Sequence, residues 1–116
     1  MKIRIKGNSL RYRLTKSDLA NLIKNKELAE ESHFLSDKLT YRIAMADSDT
    51  ITADFINGAI TTNLPVNMAL SLWETEQVGF ADKSGPVHLL IEKDFTCLDE
   101  VEEDQSDNFP NPLAKK

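Results

Sequence analysis

The sequence has little of what usually identifies a protein's chemistry. A single cysteine among 116 residues excludes an internal disulfide and gives no sign of an oxidising compartment. No apolar run is long enough to span a membrane, and the opening "MKIRIKGN" lacks the apolar stretch of a signal peptide. No glycine-rich phosphate loop follows a strand pattern. From these absences we expect a cytoplasmic protein without a recognisable catalytic signature.

Charge is distributed very unevenly along the chain, although the formal net charge is only -5. Residues 1–26 contain eight basic residues and one acidic residue, a net charge of +7. Residues 92–107 contain eight acidic residues and one basic residue, a net charge of -7. The basic end indicates contact with anions, whereas the acidity of the whole chain argues against nucleic acid as the partner.

The opening stretch "KIRIKGNSLRYRL" predicts a β-hairpin that turns at Gly7-Asn8. In this register Ile3 lies opposite Tyr12 and Ile5 lies opposite Leu10, so one face is apolar. The other face carries five cations: Lys2, Arg4, Lys6, Arg11 and Arg13.

The rest of the chain predicts alternating strands and helices. Thr15 with Asp18 is typical of a capping box at a first helix, and Pro65 suits the start of a second. Asn57-Gly58 predicts another hairpin, and strands are expected near residues 39–45, 78–80 and 86–95. We therefore predict one α+β domain over 1–98, a largely antiparallel sheet of about seven strands with two helices on one face.

A weak internal repeat has an offset of fifty residues. The segment "LTKSDLANLIKNKEL" from Leu14 matches "LPVNMALSLWETEQV" from Leu64 in pattern, with little identity. Two strand–helix–strand units would explain this match. Any two amphipathic helices that follow strands would also look similar, so both interpretations stay open.

The basic face of the hairpin is the first candidate site. Like charges across a sheet repel each other, so this face favours a phosphate-bearing ligand or an acidic partner. It could equally be a solvated face, or one neutralised by carboxylates of the same chain. Triphosphate-tunnel enzymes also line strands with Lys and Arg, but they need acidic residues near the N-terminus, where this first strand has only bases.

A second candidate lies in "HLLIEKDFTCL". His88, Glu92 and Asp94 share one strand face, and Glu92 and Asp94, about 7 Å apart, could share a cation with a third ligand. The alternative function is thus a small enzyme that acts on a phosphorylated substrate with a metal at these carboxylates. A merely polar strand face explains the same pattern. Cys97 is expected to pack in the core, and no cofactor is indicated.

The tail, residues 99–116, has carboxylates without the spacing of an EF-hand; they lie at positions 99, 100, 102, 103, 104 and 107. Phe109 is an apolar residue that a purely solvating tail would not need. We therefore expect the tail to fold back over the basic face, with Phe109 as its anchor.

The motifs "KIRIKGNSLRYRLTKSD", "LIEKDFTCLD" and "EDQSDNFPNP" resemble a family of small uncharacterised bacterial proteins, found notably in Bacteroidetes, that form a domain of unknown function. The resemblance implies a stand-alone bacterial cytoplasmic protein and transfers no activity or ligand. The basic face of the first hairpin makes a non-enzymatic binding module the preferred prediction. Its partner would be an anionic small molecule or a protein, and the chain would be a monomer or homodimer.

Overall fold

The computed structural model describes residues 1–95 and 106–110. Within these residues the chain forms two α-helices and eight β-strands, which confirms the α+β class. In chain order the elements are β1 (Lys2–Lys6), β2 (Ser9–Leu14), α1 (Lys16–Asn25), β3 (Glu27–His33), β4 (Lys38–Ala46), β5 (Thr52–Ile56), β6 (Ala59–Pro65), α2 (Val66–Glu74), β7 (Gly79–Asp82) and β8 (His88–Lys93). Neither helix is long and apolar enough to cross a bilayer.

The strands form two mixed sheets of four strands each. Sheet A has the order β1-β2-β8-β7 and sheet B has the order β3-β4-β6-β5. The central pairs, β2 with β8 and β4 with β6, are parallel. The prediction of one largely antiparallel sheet of about seven strands is therefore wrong. Turn residues indicate hairpins between neighbouring strands, but no local signal indicates that Leu10 pairs with Leu89.

Strand β3 is the element that the sequence analysis missed. Its residues, "ELAEESH", include good helix formers, so intrinsic propensity does not favour a strand. Antiparallel pairing with β4 from Glu27 opposite Ala44 to His33 opposite Lys38 outweighs this preference. Lys26 makes the change of direction possible, because it adopts the left-handed conformation (φ 69°) and its N–H donates to the Leu22 carbonyl at 2.8 Å.

Replacing Lys26 with glycine should stabilise the protein by about 0.5–1 kcal/mol. A lysine in the left-handed region has a steric cost that glycine avoids at this helix end. The midpoint of urea unfolding measures the change. Lys24→Gly, inside the same helix, is the control and should destabilise by about 1 kcal/mol. A lower midpoint for Lys26→Gly would contradict the expectation.

Both predicted hairpins are confirmed, and so is the predicted register of the first. Ile3 pairs with Tyr12 and Ile5 with Leu10, and at the second hairpin Ile56 pairs with Ala59. Asn57 and Gly58 both have positive φ, 52° and 75°, as a type I′ turn requires. Because side chains alternate along a strand, this register directs the five cations of β1 and β2 away from the core.

The two helix starts also follow the sequence signals. Thr15 and Asp18 form a reciprocal capping box, in which the Thr15 hydroxyl accepts from the Asp18 N–H and the Asp18 carboxylate accepts from the Thr15 N–H. Pro65 is the N-cap residue of α2. The two helices contact each other and contribute Leu19, Leu22, Ala69 and Leu72 to one continuous core.

The element order ββαββ occurs twice, and the two halves exchange hairpins. Sheet A joins the first hairpin of one half to the last hairpin of the other, and sheet B joins the remaining two. Buried residues recur fifty positions apart, as the pairs Leu10 and Ile60, Tyr12 and Thr62, Leu14 and Leu64, Leu19 and Ala69, and Leu22 and Leu72. The hydroxyls of Tyr12 and Thr62 share a hydrogen bond of 2.7 Å in the core. Equivalent positions therefore meet directly, as they do beside a local twofold axis.

Candidate functional site

The outer face of sheet A gathers the basic residues of the first hairpin. Lys2 lies opposite Arg13, Arg4 opposite Arg11, and Lys6 opposite Ser9. The parallel pairing with β8 extends this face beyond the hairpin. It places His88 beside Ser9, Leu90 beside Arg11, and Glu92 beside Arg13.

Two carboxylates partly neutralise this outer face. The Glu92 carboxylate lies 2.6 Å from Nε of Arg11 and 3.3 Å from Nε of Arg13. Asp94 is only 4% exposed, and its carboxylate lies 3.2 Å from Nζ of Lys2. Three of the five cations of the hairpin thus have a carboxylate of the same chain beside them, as one interpretation of the sequence anticipated.

Arg4 and Lys6 differ from the other three cations. Across the described ranges, neither has a carboxylate within 4.0 Å. Both line a shallow depression of about 410 Å³ on the outer face of sheet A. We call it the basic depression; its charged or ionisable lining residues are Arg4, Lys6, Arg11, Lys83 and His88. Ala81 and Leu90 add apolar surface to this lining.

Lys83 and His88 are lining residues that the sequence analysis did not assign to the basic face. The sequence pattern indicates no role for Lys83, and it groups His88 with Glu92 and Asp94. The Asn8 carbonyl accepts a hydrogen bond of 3.0 Å from the His88 N–H, which fixes the start of β8 beside the first hairpin turn. Only the parallel pairing of β2 with β8 brings these residues together, and the sequence carries no local signal for it.

Glu92 and Asp94 do not line the basic depression. Each carboxylate lies beside a cation of the first hairpin instead. Among the described residues, no group of three His, Cys, Asp or Glu side chains is arranged to hold a metal ion. Cys97 lies outside the described residues. His33, the last residue of β3, has a side chain that is 71% exposed.

The segment 106–110 contacts the start of α1 and the end of β8. The Phe109 N–H donates to the Asp94 carbonyl at 2.9 Å, and the Lys16 N–H donates to the Asp107 carbonyl at 3.1 Å. The Ser17 hydroxyl donates to the Asp107 carboxylate. Hydrogen bonds from Ser17 and Thr15 hold the pKa of Asp107 below its usual value, with a smaller contribution from the charge of Lys16.

Phe109 packs edge-on against Phe95, with ring centroids 6.0 Å apart, and the Lys93 ammonium lies 5.0 Å from its ring centre. Phe109 is not among the residues that line the basic depression. The domain boundary at residue 98 and the carboxylates at 99–104 lie outside the described residues. Coverage of the basic face by the acidic tail therefore stays a prediction.

Replacing Phe109 with leucine should destabilise the protein by about 0.5–1.5 kcal/mol. Leucine keeps an apolar side chain but loses the edge-to-face contact with Phe95 and the interaction with the Lys93 ammonium. Thermal unfolding measures the loss. Phe34→Leu is the control, because Phe34 is 67% exposed. Equal melting temperatures for the two variants would show that Phe109 anchors nothing.

These features define a class of small α+β protein in which two ββαββ halves exchange hairpins and one sheet carries a basic outer face. The chain belongs to the family of unknown function DUF7009, whose family model matches residues 1–113. This confirms the resemblance to a family of unknown function. No curated protein and no solved structure matches the chain.

Proposed function

We propose that this protein binds a small phosphate-bearing anion in the basic depression, without catalysing a reaction on it. The observation that supports this most directly is the pair of cations Arg4 and Lys6, which have no carboxylate within 4.0 Å among the described residues and line the depression with Arg11, Lys83 and His88. Arg and Lys donate strong charge-assisted hydrogen bonds to phosphate oxygens. The apolar surface of Ala81 and Leu90 suits a ligand that also has an uncharged part, such as a nucleotide.

Binding is favoured over metal-assisted catalysis because Glu92 and Asp94 are not among the residues that line the basic depression. An enzyme acting on a phosphorylated substrate would need acidic groups and phosphate-binding groups around the same ligand. Here Asp94 lies beside Lys2, which does not line the depression, and Glu92 lies beside Arg11, a lining residue, without itself being part of the lining. This separation supports a binding module.

A thermal-shift screen with phosphate, pyrophosphate, triphosphate and nucleotides, each with and without magnesium, tests the proposal. A ligand present at about 100 times its Kd adds about 2.7 kcal/mol to the free energy of unfolding, which raises Tm by several degrees. A shift that is selective for one anion and independent of magnesium is the expected result. A shift that requires magnesium would favour the enzyme instead, and no shift with any anion would refute anion binding.

Binding of another protein is the second candidate function. Phe34, Leu35 and Phe55 line one shallow surface and are 67%, 107% and 65% exposed, and large exposed apolar groups that cluster are typical of interaction surfaces. Light scattering on the full chain would distinguish a monomer from a homodimer.

We also propose a cytoplasmic location in a bacterium, on the basis of the single cysteine and the sequence resemblance described above.

A further inference from the structure

A second and larger cavity lies between the helices and the segment that contains Phe109. It has a volume of about 780 Å³ and shares no lining residue with the basic depression. We call it the helix cleft. Its walls are largely apolar, with Leu19, Leu72, Trp73, Val78, Phe95 and Phe109 among them. A cleft of this size and character is typical of sites for small organic molecules.

Lys93 places one buried positive charge in the wall of this cleft. The residue is 7% exposed, and its ammonium donates to the Thr75 carbonyl at 3.0 Å. Phe109 covers the ammonium on another side. In the described part of the chain no carboxylate lies within 4.0 Å of it, although Glu76 attracts it from farther away. Burial lowers the pKa of Lys93.

Among the described residues that line the cleft, no other charged side chain forms an ion pair with Lys93. Lys16 and Asp107 attract each other, and the Asp107 carboxylate also accepts a hydrogen bond from Ser17. The remaining charged residue, Glu76, lies beyond ion-pair distance from the Lys93 ammonium. A buried ammonium without a carboxylate partner is unfavourable, and a carboxylate brought by a ligand would relieve this cost.

We propose that the helix cleft binds an organic monocarboxylate with an apolar body. Its carboxylate accepts hydrogen bonds from the Lys93 ammonium, and its hydrocarbon part packs against the aromatic and aliphatic walls. A monocarboxylate fits better than a polyanion, because one carboxylate is sufficient to pair with the buried Lys93 ammonium. Further negative charge on the ligand would be repelled by Glu76, which also lines the cleft. The proposal is independent of phosphate binding on sheet A, since the two sites have no residue in common.

Trp73 makes the test direct. It is the one tryptophan of the sequence, it lines the cleft, and it is 48% exposed. Octanoate titrated into the full chain should therefore change the tryptophan fluorescence in a saturable way. Octan-1-ol, which has the same chain without the charge, should bind at least about tenfold more weakly.

Variants identify the site. Lys93→Met should weaken octanoate binding by about tenfold or more, to the level of octanol, while Lys83→Met, in the basic depression, should leave it unchanged. If Lys93→Met does not fold, Ala20→Phe provides a second test, because Ala20 lines the cleft and a phenylalanine there would fill it. Ala20→Phe should abolish the octanoate response and preserve any stabilisation by triphosphate.

Three results would overturn the proposal: no saturable response to octanoate, equal affinities for octanoate and octanol, or wild-type affinity in a folded Lys93→Met or Ala20→Phe variant. None of them would affect the interpretation of the basic depression. That site is tested with triphosphate and with variants at Arg4 and Lys6.

Discussion

The double variant Arg4→Glu/Lys6→Glu is expected to lose the entire rise in Tm that triphosphate causes. Both side chains line the basic depression and neither has a carboxylate beside it in the described ranges. Two carboxylates at these positions would repel the anion, so a stabilisation of about 2.7 kcal/mol at 100 times the Kd should fall to about zero. Thermal unfolding with and without triphosphate measures this loss.

The control carries the same change in net charge at positions outside the depression. Lys24→Glu/Lys26→Glu reverses two cations near the end of α1, neither of which lines it. This variant should keep most of the triphosphate shift at moderate ionic strength, because distant surface charges are screened by salt. Equal losses in both double variants would mean that the rise in Tm with triphosphate depends on the net charge of the protein and not on a binding site.

Tyr12→Phe is expected to cost about 1–3 kcal/mol of stability, although it removes one oxygen atom only. Tyr12 and Thr62 are both fully buried, and each hydroxyl has the other as its hydrogen-bond partner at 2.7 Å. Removal of one hydroxyl leaves the other buried without a partner. Thr62→Val should destabilise for the same reason. The double variant should lose clearly less than the sum of the two single losses, with a coupling of about 0.5–3 kcal/mol.

Urea unfolding of the four proteins completes this double-mutant cycle. Tyr41→Phe is the matched control, since the Tyr41 hydroxyl has no hydrogen bond within the described residues. That change should stay within about 0.5 kcal/mol of the wild type. Additive losses at Tyr12 and Thr62 would show that the two hydroxyls do not depend on each other.

Local structure could largely be predicted from the sequence, whereas the assembly of the strands could not. Gly7-Asn8 and Asn57-Gly58 identify both hairpins because turn geometry and alternation act over a few residues. Strand β3 escaped prediction since its "ELAEESH" composition favours a helix and its pairing with β4 decides otherwise. The two parallel pairs depend on contacts between distant segments, which a single sequence does not reveal.

The residues of the candidate site were likewise only partly predictable from the sequence. Alternation in the first hairpin was sufficient to place Arg4, Lys6 and Arg11 on one face. The contributions of Lys83 and His88, and the pairing of Glu92 with Arg11 and Arg13, depend on β8 lying beside β2. The helix cleft depends on the contact between Phe109 and Lys93. These residues are sixteen positions apart (109 minus 93), and no local sequence pattern predicts that they meet.

The exchange of hairpins between the two halves makes each half unable to complete a sheet alone. A chain cut between β4 and β5 would yield two fragments, and each would hold one hairpin of sheet A and one of sheet B. The parallel partners of β2 and β4 lie in the other fragment, so each fragment should stay unstructured until it meets the other. During synthesis the first half can therefore fold only after β6 and β8 have left the ribosome. Folding of this protein is then a single late event, in which both sheets and the core between them form together.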